Sequence, residues 1–184
     1  MKSVERAEIL DYVTYQEQRD TIRTRTLQQK ETRRIHVGEY LTFLFENHDT
    51  VLYQIQEMMR VEEIVKEAEI VHEMETYNEL LGRAGELGAT LLIEIDDPGE
   101  RDLLLQKWLD LPQHIYAKLE SGEKVYAKFD DRQVGDTRLS SVQYIKFDTS
   151  GRTPVALGVN HPALTVETEL TEVQREALGS DLKD

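Results

Sequence analysis

The 184-residue chain has no cysteine, one tryptophan and four prolines, and none of its apolar runs approaches the ~20 residues needed to cross a bilayer. Without cysteine the chain cannot supply disulfides, thiolate nucleophiles, thiolate-bound zinc or iron–sulfur ligands. The opening MKSVERAEILDY lacks the continuous apolar stretch of a signal peptide, so the expectation is a cytoplasmic protein with no membrane segment. Basic residues are scarce, with 22 Lys and Arg against 36 Asp and Glu, a net charge of -14. That total weighs against general affinity for nucleic acid and leaves room for a local basic patch. There is no Gly-x-Gly-x-x-Gly, no phosphate-cradling Gly-Lys-Ser/Thr loop, no His-Glu-x-x-His and no Gly-x-Ser-x-Gly. What the chain does have is 39% apolar residues spread along its whole length, enough to bury the core of a single domain.

The helical signals lie mainly in the first half. Thr14, with Glu17 three residues on, offers a capping box for a long helix, and no glycine or proline interrupts it until Gly38. Residues 35–37 and 40–45 are β-branched and aromatic around Gly38-Glu39 and read as a hairpin. Asn47-His48-Asp49-Thr50 supplies caps for a second helix over about 49–68, and a third covers about 70–82. The Gly82, Gly85 and Gly88 run marks a loop, a candidate seam between a helical lobe 1–84 and a sheet lobe 85–184. Beyond it 89–95 is strand, and Asp97-Pro98-Gly99-Glu100 starts a helix to about Leu109. Residues 114–120 and 123–130 alternate around Ser121-Gly122 as a hairpin. Further strands fit 141–147, 155–159 and 164–169, and Thr171 with Gln174 begins a terminal helix that Gly179 ends. Strands joined by tight turns favour antiparallel pairing, so the class is α+β, N-terminal helices and a short hairpin packed on a mainly antiparallel sheet.

The charge is segregated. Within 19–34, Arg19, Arg23, Arg25, Lys30, Arg33 and Arg34 face only Asp20 and Glu31, a window of +4. Within 57–79, eight glutamates face Arg60 and Lys66, a window of -6. On a helical wheel Arg19, Arg23, Lys30, Arg33 and Arg34 share one arc, while Glu62 falls inside the apolar arc of Val51, Ile55, Met58, Met59 and Val65. A carboxylate there needs an arginine partner, a proton or a metal. The basic stripe either pairs with the glutamate-rich helices of its own chain or receives an external anion such as phosphate or carboxylate. Glu69-x-x-His72 has the spacing of di-iron carboxylate bundles, but there is one copy of it, so iron or manganese at Glu62, Glu69 and His72 is an alternative to a surface histidine. His161, in the Asn160-His161-Pro162 turn, is either a general base at a strand end or a residue bonded to local backbone.

The runs Phe45-Glu46-Asn47-His48-Asp49-Thr50 and Gln54-Ile55-Gln56-Glu57-Met58-Met59-Arg60-Val61-Glu62 resemble the bacterial domain-of-unknown-function family 3501. Arg33-Arg34, Val37-Gly38, Tyr77-Asn78, Ala89-Thr90-Leu91 and Gly158-Val159-Asn160-His161-Pro162 extend the resemblance over most of the chain. The resemblance implies a redox or peroxide-stress setting, with rubrerythrin-like proteins or iron–sulfur oxidoreductases as partners, and it carries no established activity. A cluster of Arg33, Arg34, Gln54, Glu57, Arg60 and Glu62 would either specify helix packing or line a site. Three functions are therefore expected to compete. The first is a non-catalytic accessory protein whose basic helix (Arg19, Arg23, Lys30, Arg33, Arg34) and Gln54/Glu57/Arg60 motif recognise a partner. The second is a carboxylate/histidine metal protein, and the third is a phosphate or RNA binder using the basic stripe, its affinity falling with salt. A homo-oligomer is compatible with each.

Overall fold

The computed structural model describes residues 1–183. Helix α1 (Tyr12–Glu31) is capped by Asp11, whose Oδ1 accepts the Val13 and Thr14 N–H groups, each at 3.0 Å. The cap thus lies three residues before the expected Thr14, because one carboxylate there satisfies two orphan donors. The helix stops at Glu31, so Arg33 sits in the following turn and Arg34 opens a strand, and the basic stripe is shorter than a wheel to residue 34 implies.

The hairpin of β1 (Arg34–Val37) and β2 (Leu41–Glu46) turns at Gly38, which adopts φ +65, and Val37 faces Leu41 in register. Helix α2 (His48–Val61) starts with a capping box in which Asn47 and Thr50 bond to each other's backbone. It ends well short of residue 68. Glu63 takes a left-handed φ of 53 and Ile64 N–H closes on Met59 O at 2.9 Å, a Schellman-type stop. Helix α3 (Glu67–Asn78) follows.

Strand β3 (Glu86–Ile93) is succeeded by α4 (Pro98–Lys107), capped by Asp97 as its Asp-Pro-Gly-Glu start predicts. The hairpin β4 (Ile115–Lys118) and β5 (Lys124–Tyr126) has Gly122 at φ +85 in its turn, and β6 (Lys128–Phe129) continues beyond Ala127. The remaining elements are β7 (Val142–Asp148), β8 (Ala156–His161), β9 (Leu164–Glu169) and α5 (Glu172–Asp181). Thr171 and Gln174 form the expected capping box, but α5 runs through Gly179 to Asp181. A Cβ on Gly179 would lie 2.8 Å from Thr153 Oγ1, so this glycine serves close packing and does not end the helix.

All strand pairs are antiparallel, in two sheets ordered β1-β2-β3-β7-β6 and β5-β4-β8-β9, so the fold is α+β. The chain passes from one sheet to the other between β5 and β6, and at the opposite edge Val166 of β9 lies against Gly38. Between the sheets lies one core that includes Phe43, Phe45, Leu91, Ile115, Phe147 and Leu157. A second, smaller core joins α2 and α3 to the N-terminal segment through Val4, Ile9, Val51, Ile55, Met59 and Ile70. The β1–β2 hairpin belongs to the sheet core although it lies within 1–84, and a Cβ on Gly88 would strike the Leu80 carbonyl at 1.9 Å. The glycine run therefore holds the turn after α3 close against β3. No helix among the described residues is long and apolar enough to cross a membrane.

Candidate functional site

Antiparallel packing of α1 on α2 sets four polar residues together. Glu57 Oε1 accepts from the Tyr15 hydroxyl and from Arg19 Nε, both at 2.7 Å, and Oε2 accepts from Arg19 Nη2 at 2.9 Å. The Arg19 guanidinium is the main cause that holds the Glu57 carboxyl down to about 2. Burial and the Glu57 carboxylate push the Tyr15 hydroxyl well above its ordinary value. Arg60, one turn on in α2, approaches Glu57 Oε1 at 3.5 Å, a charge contact without a hydrogen bond. Arg60 Nε is buried with no partner, and its remaining nitrogens make no hydrogen bond among the described residues. Glu57 is saturated by Tyr15 and Arg19, so the guanidinium next to it is left with free donors.

The rest of the basic window is largely consumed within the chain. Arg25 bonds Asp49 Oδ2 at 2.8 Å, and Gln29 bonds the same oxygen. Lys30 Nζ stands 5.6 Å above the Tyr53 ring. Arg33 makes a bidentate pair with Asp181 of α5, both bonds at 2.7 Å, and both side chains are buried. Arg23 and Arg34 are exposed and have no side-chain partner among the described residues. Gln54 lies beside the Tyr77 hydroxyl, where it offsets part of the upward push of burial. Gln56 pairs its amide with the backbone of Leu10, accepting at 2.6 Å and donating at 3.2 Å. The glutamate-rich window thus meets the basic helix through Glu57, and Asp49 at the start of α2 adds a second contact.

Glu62 does not do so. It is the exposed C-cap of α2, because the helix ends before the apolar arc can continue, and Val65, expected on that arc, is 71% exposed. Glu69 and His72 are also exposed, and Glu69 pairs with Lys66 at 3.0 Å. The three candidate metal ligands are not gathered. Among the described residues the group that brings three such ligands within 4.8 Å of one another is Asp110, His114 and His161. Asp110 Oδ1 faces His161 Nε2 at 2.9 Å, its Oδ2 faces His114 Nε2 at 3.2 Å, and the rings meet edge-on at 5.1 Å. His161, as one reading of its turn anticipates, also binds local backbone, its Nδ1 accepting the Ala163 N–H at 3.0 Å. That acceptor role fixes the proton of a neutral ring on Nε2, so Nε2 donates to Asp110. The bond from His161 is the chief reason the Asp110 carboxyl lies below its ordinary value. The i, i+4 spacing of Asp110 and His114 is a readable signal, but nothing in it points to residue 161, which the β8–β9 turn delivers.

The chain belongs to the family described as "protein of unknown function (DUF3501)", whose model matches residues 3–182. A crystal structure of a novel protein of unknown function from Burkholderia pseudomallei is similar to it. That structure shares 25% identity and has a TM-score of 0.88, with 98% of this chain and 100% of that one covered. No curated protein matches the chain.

Proposed function

We propose that the protein is a non-catalytic accessory protein of a bacterial redox system that receives an acidic segment of a partner protein at Arg60. The observation that carries this reading is the guanidinium itself. Its Nε is buried and unpartnered, its one counter-charge among the described residues is already bonded to Tyr15 and Arg19, and two guanidiniums there share one carboxylate. Such a group gains from an outside carboxylate, which can accept two parallel N–H bonds from the outward edge of the fork. The surface around it suits a protein better than a free ion. Val61 is 63% exposed, Val65 is exposed, and the antiparallel pairing brings exposed Tyr12 and Val13 of α1 to the same end of the helices. A central arginine ringed by apolar groups is a common composition for an interface anchor. The family resemblance supplies the setting, with a rubrerythrin-like or iron–sulfur redox protein as the partner. The site moves from the basic helix, whose Arg19, Lys30 and Arg33 are engaged internally, to Arg60 of the Gln54/Glu57/Arg60 motif.

The test follows the Arg60 Nε–H resonance while a peptide carrying one glutamate between two leucines is added, and measures binding of the purified rubrerythrin-like protein by calorimetry. The expected result is a saturable shift of that resonance, partner binding by the wild type, and loss of both in Arg60→Gln. An unmoved resonance, or a partner that binds Arg60→Gln as well as wild type, overturns the reading.

A second reading, a divalent-metal protein using iron or manganese, is favoured by the Asp110, His114 and His161 geometry. It requires His161 to surrender its Nε2 proton and therefore its bond from Ala163, since a metal-bound imidazole keeps its remaining proton on the other nitrogen. Elemental analysis of protein prepared without chelator decides it: stoichiometric metal that is lost in His161→Ala supports the reading, and metal-free protein that takes up neither ion ends it.

A further inference from the structure

The outer face of the larger sheet carries a feature that neither the packing nor the Arg60 reading uses. Beside α3, β7 and β6 a groove of about 930 Å³ opens, lined by Tyr77, Leu80, Tyr144, Lys146 and the carboxylate of Asp130. That volume is in the range of small-molecule sites. On its floor Lys146 of β7 lies directly opposite Lys128 of β6 in the strand register, two like charges facing one another. Lys128 is neutralised on both sides, by Glu86 at 2.8 Å and Asp148 at 3.0 Å. Lys146 is half-buried and makes no ion pair or hydrogen bond among the described residues. Its other strand neighbour, Gly88, brings no side chain. A sheet that places two lysines opposite one another and leaves one without a counter-ion gives up stability at that point, which is expected where a ligand completes the charge.

We propose that this groove binds a planar aromatic carboxylate, with its ring between Tyr77 and Tyr144 and its carboxylate on Lys146. The two tyrosine rings, Tyr77 and Tyr144, favour a flat apolar body, since rings gain from stacking as well as from area. Lys146, the unpaired cation among the described residues that line the groove, calls for one negative charge. Exposed Glu79 and Asp131 on the rim repel a polyanion, so a nucleotide with its phosphate chain is disfavoured at the same site.

The test uses 2-naphthoate as the probe and adenosine triphosphate as the competitor class, with binding to the full chain followed by ligand-observed NMR and calorimetry. Naphthoate is expected to bind saturably and adenosine triphosphate to bind at least about tenfold more weakly, with Lys146→Gln and Tyr144→Ala each weakening naphthoate about tenfold. Both side chains reach the surface, so the variants fold. Thermal melting gives a readout that a purely structural lysine would move the other way. Lys146→Gln should melt at the wild-type temperature or above it, because the lysine makes no ion pair or hydrogen bond among the described residues for the glutamine to lose. Absent binding of naphthoate, equal binding in Lys146→Gln, preference for adenosine triphosphate, or a lowered melting temperature in Lys146→Gln overturns the proposal.

Discussion

Replacing Glu57 by glutamine isolates the charge that joins α1 to α2. In the native protein its carboxyl titrates at about 2, against an ordinary 4.5, chiefly because of the Arg19 guanidinium. The difference corresponds to about 3 kcal/mol of stability at neutral pH, and solvent screening of this half-exposed cluster brings the expected loss to about 2–3 kcal/mol. The sign follows from the lowered folded-state value: the stabilisation is fully present above the unfolded pKa and is lost as pH falls through the folded one, from about pH 5 to pH 2. Glu8 is held near 2 as well, first by the Glu5 N–H and then by His48, and Asp49, Glu86 and Asp110 among others lie below their ordinary values, so the wild-type acid transition contains several carboxylates. Only the difference between wild type and Glu57→Gln belongs to Glu57. In urea unfolding at pH 7 the variant should lose that amount. Its melting temperature should fall by roughly 5–10 °C for a chain of this size, and the gap to wild type should close as the pH approaches 2. A loss below about 0.5 kcal/mol at pH 7, or a gap unchanged by acid, would mean an ordinary surface pair and refute the account of the cluster.

Three further outcomes can be measured by the same denaturation. Asp181→Asn leaves Arg33 buried without its counter-charge, so a loss of about 3–5 kcal/mol is expected, and a change under about 1 kcal/mol would show that the pair is dispensable. Glu63→Gly removes the strain of a left-handed non-glycine residue at φ 53 and should stabilise by about 0.5–1 kcal/mol, with destabilisation as the contrary result. Gly158→Ala places a Cβ 2.5 Å from the Tyr116 ring and should cost about 1–3 kcal/mol, and the cost should vanish in the Tyr116→Ala background if that contact is its cause.

What could be read from the sequence was the local chemistry. Asn47 with Thr50, Asp97 with Glu100 and Thr171 with Gln174 act within three residues, and all three helix starts lie where those side chains put them. The hairpins at Gly38 and Gly122 were legible for the same reason, since a positive φ at one glycine sets the turn and alternation sets the faces. What failed were inferences that extrapolated a period past a stop without a glycine, and the single-residue signals of Thr14 as a cap and Gly179 as a stop. Glu63 ends α2 in a conformation that sequence assigns to Gly or Asn, and that one residue moves Glu62 from the apolar arc to solvent. The two sheets were also hidden, because the strand that changes sheet at Ala127 is one uninterrupted alternating run.

The candidate site separates along the same line. The complementarity of a +4 and a -6 window was visible in one dimension, but the fold uses little of it: Arg19 takes Glu57 of the acidic window, while Arg25 takes Asp49, which lies outside it. Which charge is left over depends on saturation, a three-dimensional property: Glu57 can serve Tyr15 and Arg19 or Arg60, and not all with good geometry. Arg60 looked from its spacing like the natural i, i+3 partner of Glu57 and turns out to be the one displaced. Lys146 follows the same logic across a sheet. Glu86 and Asp148 lie two positions along from it in the register, yet both close on Lys128. In an acidic protein the functional cations are therefore to be sought where the surrounding carboxylates are already bonded, and counting charges along the chain does not reveal them.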